Sequence, residues 1–270
     1  MFVPSLQSAR RRIIGSGLMI LALAGLSAPA GAATNLIVNG DFLHTTLTQS
    51  EDFNSYYTGG VDAVTGWNGG TTATVGYNFL YMATTGATAA QNAMLPGALS
   101  QEYGNFTALW AVTNPVNGGN FIGADGAYQV GPVTQTVKGL TVGDVYRLTF
   151  DWAGAQQKGF DGATQEQWKV SFGGGAVQST ALVNDATHGF TGWMSESMTF
   201  TASATSELLS FTPFGLPTGK PPFSLLSNVQ LYDTTVTSNQ SAVPEPASLL
   251  LIGVGLIAVA GVRRQRSGAA

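Results

Sequence analysis

The chain has 270 residues, of which only 10% are Asp, Glu, Lys or Arg. Between Thr34 and Val243 there are 14 acidic and 5 basic residues, a net charge of −9 (5 − 14). Such an acidic body repels phosphate backbones, which argues against nucleic-acid binding. The chain has no cysteine, which excludes disulfides, thiolate metal sites and a cysteine nucleophile.

Residues 1–33 have the pattern of a secretory signal peptide. An arginine run at 10–12 precedes an apolar run from Ile13 to Leu26, and small residues follow up to a cleavage site expected after Ala32 or Ala33. The alternative is a retained membrane anchor. The apolar run is short for a membrane span, so the pattern favours export with cleavage.

Residues 34–233 are predicted to form an all-β, antiparallel sandwich. Short β-favouring runs recur between Gly- and Asn-rich turns, without a helical period longer than two turns. Two of these runs, 133–138 and 145–152, alternate with period 2 and predict an antiparallel pair around a Gly-Asp turn. The other predicted strands or extended segments are 35–38, 71–82, 165–172, 193–201, 207–213 and 224–232.

Aromatic residues are candidates for carbohydrate binding, two of them in turn-like sequence, Trp67 and Trp110, and one in a predicted extended segment, Tyr77. Trp67, Tyr77 and Trp110 are the candidates, because an aromatic ring stacks on the C–H face of a sugar while neighbouring Asn, Gln and Asp bind its hydroxyls. The alternative for each aromatic is burial in the core, which we favour for any single tryptophan and expect for Trp152 and Trp168 in their strands.

Catalytic and metal-binding patterns are sparse. Both histidines, His44 and His188, lie in loop-like sequence, and the mature region has no Gly-x-Ser-x-Gly motif. Carboxylates of a hydrolase would have to come from loop acids, with Asp151, Asp161 and Glu166 as candidates. We predict no catalytic residue and no required cofactor. Calcium is an option at Asp41 and Asp233, where the first and last strands would meet.

The C-terminus combines a polar linker, predicted at 234–243, with a three-part tail. Pro244-Glu245-Pro246 precede an apolar stretch at 247–262, which at 1.5 Å per residue spans about 24 Å and predicts a single transmembrane helix. Arg263, Arg264 and Arg266 then act as a stop-transfer signal on the cytoplasmic side. The alternative, a helix buried in the domain, would be apolar on every face.

The tail at 244–266 resembles the PEP-CTERM protein-sorting signal, because its Pro-Glu-Pro, apolar helix and basic end occur in that order. The resemblance implies a Gram-negative host and an exosortase partner that removes the tail near Pro-Glu-Pro. It also implies transient residence in the inner membrane, followed by transfer to the cell surface or release. The family is associated with exopolysaccharide and with biofilm or floc formation.

The body also carries resemblances. The opening "NLIVNGDF" and the closing "FSLLSNVQLYD", with Asn228 at its polar position, resemble exported sandwich domains with a galactose-binding-like jelly-roll fold. The sequence therefore supports two hypotheses. The first is a non-enzymatic surface or matrix protein, sorted by exosortase, with exopolysaccharide as its candidate ligand. The alternative is a secreted glycoside or ester hydrolase that uses loop carboxylates.

Overall fold

The computed structural model describes residues 33–48, 50–53, 63–70, 76–83 and 108–235. All of them belong to a compact unit that spans Ala32–Ala242. The predicted signal peptide, most of the predicted linker, the sorting signal and the predicted transmembrane helix at 247–262 lie outside the described residues. Within the described part, no helix is long and apolar enough to cross a membrane.

Eleven strands in the described residues form two antiparallel sheets, which confirms the all-β sandwich. The first sheet has the order β1-β2-β3-β11-β5-β9. The second has the order β4-β10-β6-β7, and β8 also pairs with β6. The strands are β1 (Glu51–Asp52), β2 (Asn78–Tyr81), β3 (Phe121–Asp125), β4 (Val133–Lys138), β5 (Val145–Gln156), β6 (Thr164–Phe172), β7 (Gln178–Ser179), β8 (Val183–Asp185), β9 (Met194–Thr201), β10 (Ser206–Leu216) and β11 (Pro222–Asp233).

The predicted pair of 133–138 and 145–152 is wrong, although both strands exist. β4 pairs with β10 in one sheet, whereas β5 lies between β11 and β9 in the other. The intervening residues, 139–144, therefore connect the two sheets instead of closing a hairpin. Apolar and polar residues alternate in both strands because one face of each strand packs on the shared core. A period of 2 identifies the buried face of a strand, but it does not identify the strand that pairs with it.

The main core lies between the sheets. Along β6 every second residue is buried, from Thr164 to Phe172, because alternate side chains of a strand point to opposite faces. Trp168 fills the middle of this layer and its Nε1 donates to the Leu225 carbonyl at 2.9 Å. Trp152 is also buried in this core, so the expected core positions of Trp152 and Trp168 are confirmed.

A second apolar cluster covers the opposite face of the first sheet. Phe79, Phe121 and Leu225 belong to this cluster, whereas their chain neighbours Leu80 and Ile122 belong to the main core. The sheet is therefore buried on both faces around β2, β3 and β11. Tyr77 belongs to this second cluster and directly precedes β2, at the end of the sandwich where the candidate site lies.

The N-terminal "NGDF" sequence packs against a bulge in β11. The register of β11 with β5 shifts between Ser227 and Gln230, and Asn228 adopts a positive φ of 51°. The Val229 N–H donates to the Gly40 carbonyl at 2.9 Å. A Cβ on Gly40 would lie 1.9 Å from the Val229 oxygen, so only glycine permits this close approach.

Candidate functional site

A pocket of about 340 Å³ opens at one end of the sandwich, where β2 and β11 begin and β3 and β5 end. We call it the aromatic pocket. Two of its rings reach solvent, since Tyr128 is 47% and Phe160 37% exposed. Its lining residues are Tyr77, Asp125, Ala127, Tyr128, Gln157, Phe160, Thr218, Gly219 and Pro221.

Backbone hydrogen bonds between neighbouring strand ends hold the pocket open. The Tyr77 N–H donates to the Gln129 carbonyl at 2.9 Å, and the Asp125 N–H donates to the Tyr77 carbonyl at 3.1 Å. The Gln157 N–H donates to the Pro221 carbonyl at 3.3 Å. The pocket walls therefore extend directly from a rigid sheet, which pre-organises a site for a ligand.

Asp125 supplies the carboxylate of the pocket. Its Oδ1 accepts hydrogen bonds from the backbone N–H groups of Ala127 and Tyr128, at 2.8 and 3.1 Å. Its Oδ2 is buried and has no hydrogen-bond partner. Burial raises the pKa of Asp125 to about 7, against the opposing effect of the two backbone donors. One oxygen thus orients the side chain, and the other stays available to a ligand.

Tyr77 forms the apolar part of the pocket. Its ring contacts Tyr128 edge-on, with the ring centroids 5.5 Å apart, and Phe79 at 4.6 Å. Burial, followed by the negative charges of Asp125 and Asp52, raises the pKa of the Tyr77 hydroxyl far above its usual value. The hydroxyl therefore keeps its proton at any physiological pH and is a hydrogen-bonding group, not a base.

A second group of side chains lies on the loops beside the pocket. The backbone N–H of Trp110 donates to the carbonyl of Gln156, which precedes the pocket residue Gln157 in sequence. The Trp110 ring lies 4.2 Å from the His188 ring, between centroids, and the Lys158 Nζ lies 5.4 Å from the Trp110 centroid. The ring of Trp110 is thus already engaged by protein side chains.

The structure separates the three predicted sugar-binding aromatics. Tyr77 lies in the aromatic pocket and Trp110 lies beside it. The prediction for Trp67 is corrected, because this residue is 1% exposed and packs edge-on against Phe42 at a centroid distance of 5.2 Å. Its Nε1 donates to the carbonyls of Val38 and Asn39, so Trp67 ties the N-terminal segment to the core.

The three acids of the hydrolase hypothesis occupy separate environments. Asp151 accepts hydrogen bonds from Ser195, Asn117 and Asn228. Asp161 is on the surface, with its Oδ1 2.6 Å from the His188 Nε2. Glu166 is completely buried on the inner face of β6. The structure does not bring these acids together as a pair that flanks a substrate.

The histidines also have structural contacts. His188 lies near Asp185 in sequence, but its ring pairs with Asp161. Among the hydrogen bonds of the described residues, none joins a serine or threonine hydroxyl to the His188 ring. The backbone N–H of His44 donates to Asn39 Oδ1 at 2.9 Å, within the turn that starts the domain. Neither geometry is that of a nucleophile–base pair.

Asp41 and Asp233 do not share a site, which corrects their pairing as calcium candidates. Gly40 pairs with Val229, and Leu36 donates to the Leu231 carbonyl, so the N-terminal segment runs antiparallel to β11. Asp41 therefore lies beyond Val229, whereas Asp233 lies four residues further along β11, about 13 Å away at the usual strand rise. Each carboxylate accepts a local backbone N–H, from Leu43 and Thr235 respectively.

Sequence reasoning missed Asp125, Tyr128 and Phe160. The "GADGAY" segment contains an Asp-Gly turn signal that would have marked Asp125, and Phe160 follows Gly159 in a second turn. Neither signal shows that these turns adjoin. Their proximity depends on the pairing of β11 with both β3 and β5, which brings the ends of these strands together.

Comparison with known proteins identifies the C-terminal signal. The family model of the PEP-CTERM protein-sorting motif matches residues 242–265, which confirms the sequence-based recognition of this signal, and the matched range contains Pro244, Glu245 and Pro246. The motif implies an exported protein processed by an exosortase. No curated protein matches the chain.

Several solved structures have distant similarity to the chain. A cyclase from Fischerella sp. TAU is 14% identical, with a TM-score of 0.44 over 74% of this chain and 96% of the cyclase. A structure described as TmCBM61 in complex with beta-1,4-galactotriose is 20% identical, with a TM-score of 0.30 over 44% of this chain and 74% of the other. A protein described as CBM4 is 11% identical, with a TM-score of 0.31 over 73% and 99%. These likenesses are too distant to identify a ligand or an activity.

Proposed function

We propose that this chain, whose PEP-CTERM motif makes it an exported exosortase substrate, is a non-enzymatic surface or matrix protein that binds polysaccharide in the aromatic pocket. The observation that carries this proposal is the combination of exposed rings with one buried, unpartnered carboxylate oxygen in a single preformed pocket. Sorting delivers the domain to the compartment where extracellular polysaccharide lies.

The chemistry of the pocket suits a sugar ring. Tyr128 and Phe160 present apolar faces against which the C–H groups of a pyranose can pack. The Asp125 Oδ2 is a strong acceptor for a sugar hydroxyl, since it lies in a low-dielectric site without a competing donor. Thr218 at the rim adds a further hydroxyl that can donate or accept.

Electrostatics favours an uncharged glycan. Asp125 lines the pocket, and Asp52 is close enough to Tyr77 to raise its pKa. The body between Thr34 and Val243 carries a net charge of −9 (5 − 14). A polyuronate or sulfated polymer would be repelled by this field, whereas a neutral hexose polymer would not.

The pocket lacks the arrangement of a glycosidase. Both common mechanisms need two carboxyl groups on opposite sides of the scissile bond. Asp125 is the single carboxylate among the lining residues of the aromatic pocket. The hydrolase candidates Asp151, Asp161 and Glu166 do not line the pocket, so the geometry favours binding without turnover.

The proposal is tested with the purified full-length chain in mild detergent. A panel of neutral and acidic polysaccharides is screened by affinity electrophoresis, and a positive ligand is titrated calorimetrically. We expect Tyr128→Ala and Phe160→Ala each to weaken binding about tenfold, the equivalent of about 1.4 kcal/mol. The matched control is Tyr232→Ala, which removes a partly buried aromatic ring near the end of β11 opposite the pocket and should not change the affinity.

Two results would reject the proposal. Unchanged affinity in both pocket variants would place the ligand elsewhere on the molecule. Release of reducing sugars, abolished by Asp161→Asn or Glu166→Gln, would instead establish the hydrolase alternative.

Processing of the tail is tested separately by the intact mass of the protein from its native host. We expect this mass to correspond to a chain that ends near Pro244. A mass that includes Arg266 would show that the tail is retained.

A further inference from the structure

Four buried oxygen atoms on the inner face of the second sheet make no hydrogen bond of good geometry. They are Thr164 Oγ1, both carboxylate oxygens of Glu166, and Asp185 Oδ2. The three residues are 1%, 0% and 3% exposed. Native proteins rarely leave even one such atom unsatisfied, because an unpaired buried polar group costs about 1–3 kcal/mol.

Strand register brings the three side chains together. Thr164 of β6 lies directly opposite Asp185 of β8, and Glu166 follows Thr164 by two residues on the same face. The Glu166 side chain lies next to both of the others: burial raises its pKa most, a hydrogen bond with the Thr164 hydroxyl lowers that pKa, and the charge of Asp185 raises it. The cluster is thus a compact set of oxygens, which we call the acidic cluster.

Two glycines, Gly154 and Gly189, lie against the carboxylates of the acidic cluster. A Cβ on Gly154 of β5 would lie 2.6 Å from the Glu166 Oε2, so any side chain at this position would displace the carboxylate. A Cβ on Gly189 would lie 2.1 Å from the Asp185 Oδ1. Glycine at 154 lets the facing strand β5 approach Glu166, and glycine at 189 lets the turn after β8 fold back against Asp185.

The cluster lacks a protein cation. Among the described residues, no ion pair links Glu166 or Asp185 to a lysine, arginine or histidine. Two carboxyl groups buried together without a counter-charge must either take up protons or bind a metal ion. A hydroxyl and three carboxylate oxygens, with no nitrogen or sulfur ligand, form the donor set that hard divalent cations select.

We propose that the acidic cluster of Thr164, Glu166 and Asp185 binds one calcium ion between the sheets. Glu166 can contribute both oxygens and Asp185 one, which balances the charge of a divalent ion, and Thr164 adds a neutral ligand. Calcium fits better than magnesium, since magnesium loses its water shell reluctantly and demands stricter octahedral geometry. The site is distinct from Asp41 and Asp233 and independent of polysaccharide binding.

The test uses the full-length chain, stripped with EDTA and dialysed into metal-free buffer. Terbium, a luminescent analogue of calcium, is added and excited through tryptophan. Trp168 follows Glu166 by two residues on the same face of β6, about 7 Å along the strand, so it should sensitise the ion efficiently. We expect saturable luminescence that excess calcium displaces, and a rise in Tm when calcium is added to the stripped protein.

Matched variants locate the ion. Glu166→Gln and Asp185→Asn keep side-chain shape, and we expect each to abolish the calcium-dependent rise in Tm and to lower terbium affinity at least tenfold. Asp125→Asn and Asp161→Asn change other acids and should leave both responses intact. Circular dichroism in EDTA shows whether each variant folds, and Thr164→Val provides a third variant that keeps both carboxylates and should weaken terbium binding.

Two outcomes would overturn the proposal. An identical Tm in EDTA and in calcium, together with no terbium signal, would show that the carboxyls are protonated instead. A calcium response that survives in Glu166→Gln and Asp185→Asn but disappears in Asp125→Asn would place the ion in the aromatic pocket. Loss of polysaccharide binding alone would leave both metal readouts unchanged, so failure of the proposed function is distinguishable from failure of this site.

Discussion

Two buried aspartates on the first sheet illustrate different uses of the same side chain. Asp151, in the bulge region formed with Asn117, Ser195 and Asn228, accepts hydrogen bonds on both oxygens, at distances from 2.7 to 3.1 Å. Asp125, in the aromatic pocket, has partners for Oδ1 but none for Oδ2. Satisfied carboxylates hold a fold together, whereas a carboxylate with an unused oxygen retains binding capacity.

The residues around the two aspartates also differ. The bulge region joins the N-terminal "NGDF" segment to β11 and β5 through backbone contacts and side-chain amides. The aromatic pocket ends the same two long strands with exposed rings. The bulge region lies in the middle of β5 and β11, whereas the aromatic pocket lies where β11 begins and β5 ends. Under the proposed function the bulge region stabilises the fold and the pocket binds the ligand, and variants can measure the two roles separately.

The largest effect is expected from Gly40→Ala in the bulge region. The new Cβ would meet the Val229 carbonyl oxygen at 1.9 Å, so the backbone of the first segment or of β11 must move. We expect a loss of more than about 4 kcal/mol in the free energy of unfolding, measured by urea denaturation. Gly174→Ala is the control, because nothing lies within 4 Å of that position, and a similar loss there would refute the steric explanation.

Asp151→Ala should be the next most damaging change. It leaves the donors on Ser195, Asn117 and Asn228 without their acceptor, at a cost of about 2–4 kcal/mol. For a domain of this size the Tm should fall by about 5–15 °C. A Tm within 2 °C of wild type would mean that water replaces the carboxylate, contradicting its role as the centre of the bulge region.

The Asp125→Asn variant tests whether Asp125 makes the stability of the fold depend on pH. The unfolded carboxyl has a pKa near 3.8 and the folded one a pKa of about 7. Between these values the folded state binds more protons, so the stability that depends on Asp125 falls as pH rises from about 4 to 7. The raised pKa of Asp125 comes first from burial, which the backbone N–H groups of Ala127 and Tyr128 oppose.

The asparagine variant keeps the Oδ1 acceptor and cannot ionise. We therefore expect it to match wild type near pH 4 and to be more stable by about 4 kcal/mol at pH 8, since one pKa unit corresponds to about 1.4 kcal/mol. Urea denaturation at both pH values measures the difference. If the two proteins lose stability in parallel across this range, Asp125 is not the group that titrates. Polysaccharide binding by the variant should also weaken, because a carboxylate acceptor is lost.

The smallest effect is expected from Asp161→Asn beside the pocket. Its side chain is 84% exposed and its partner His188 is 42% exposed, so solvent screens their interaction. We expect the free energy of unfolding to change by less than about 0.5 kcal/mol. A loss above 2 kcal/mol would show that the loops beside the pocket belong to the stabilising part of the sandwich.

The strands were largely predictable and their neighbours were not. Alternation located β4 and β6 closely, since each has one face on the core and a more exposed opposite face. It located β5 only as far as Trp152, because all residues of β5 from Phe150 to Gln156 are buried. β3 was missed because all five residues of "FIGAD" are buried, on both faces, so no alternation exists to detect. The partners of β4 and β5 were wrong because local periodicity contains no information about the sheet to which a strand belongs.

The aromatic pocket was harder to predict than the fold. Turn residues next to Trp67 suggested exposure, but contacts with Phe42 and Phe211 bury it. Tyr77 was identified by its aromatic character alone. Asp125, Tyr128 and Phe160 come from turns that are distant in sequence, and only the central position of β11 brings them together. By contrast, the sorting motif is linear and was identified from sequence alone.

The position of β11 has a consequence for how the chain reaches its destination. This strand is the last of the domain in sequence, yet it lies between β3 and β5 in the first sheet. Until Pro222–Asp233 leave the translocation channel, β3 and β5 have exposed edges, which are prone to aggregation. Completion of the sheet must therefore wait for nearly the whole domain to be exported, and the sorting motif at 242–265 follows soon after the strand that completes it.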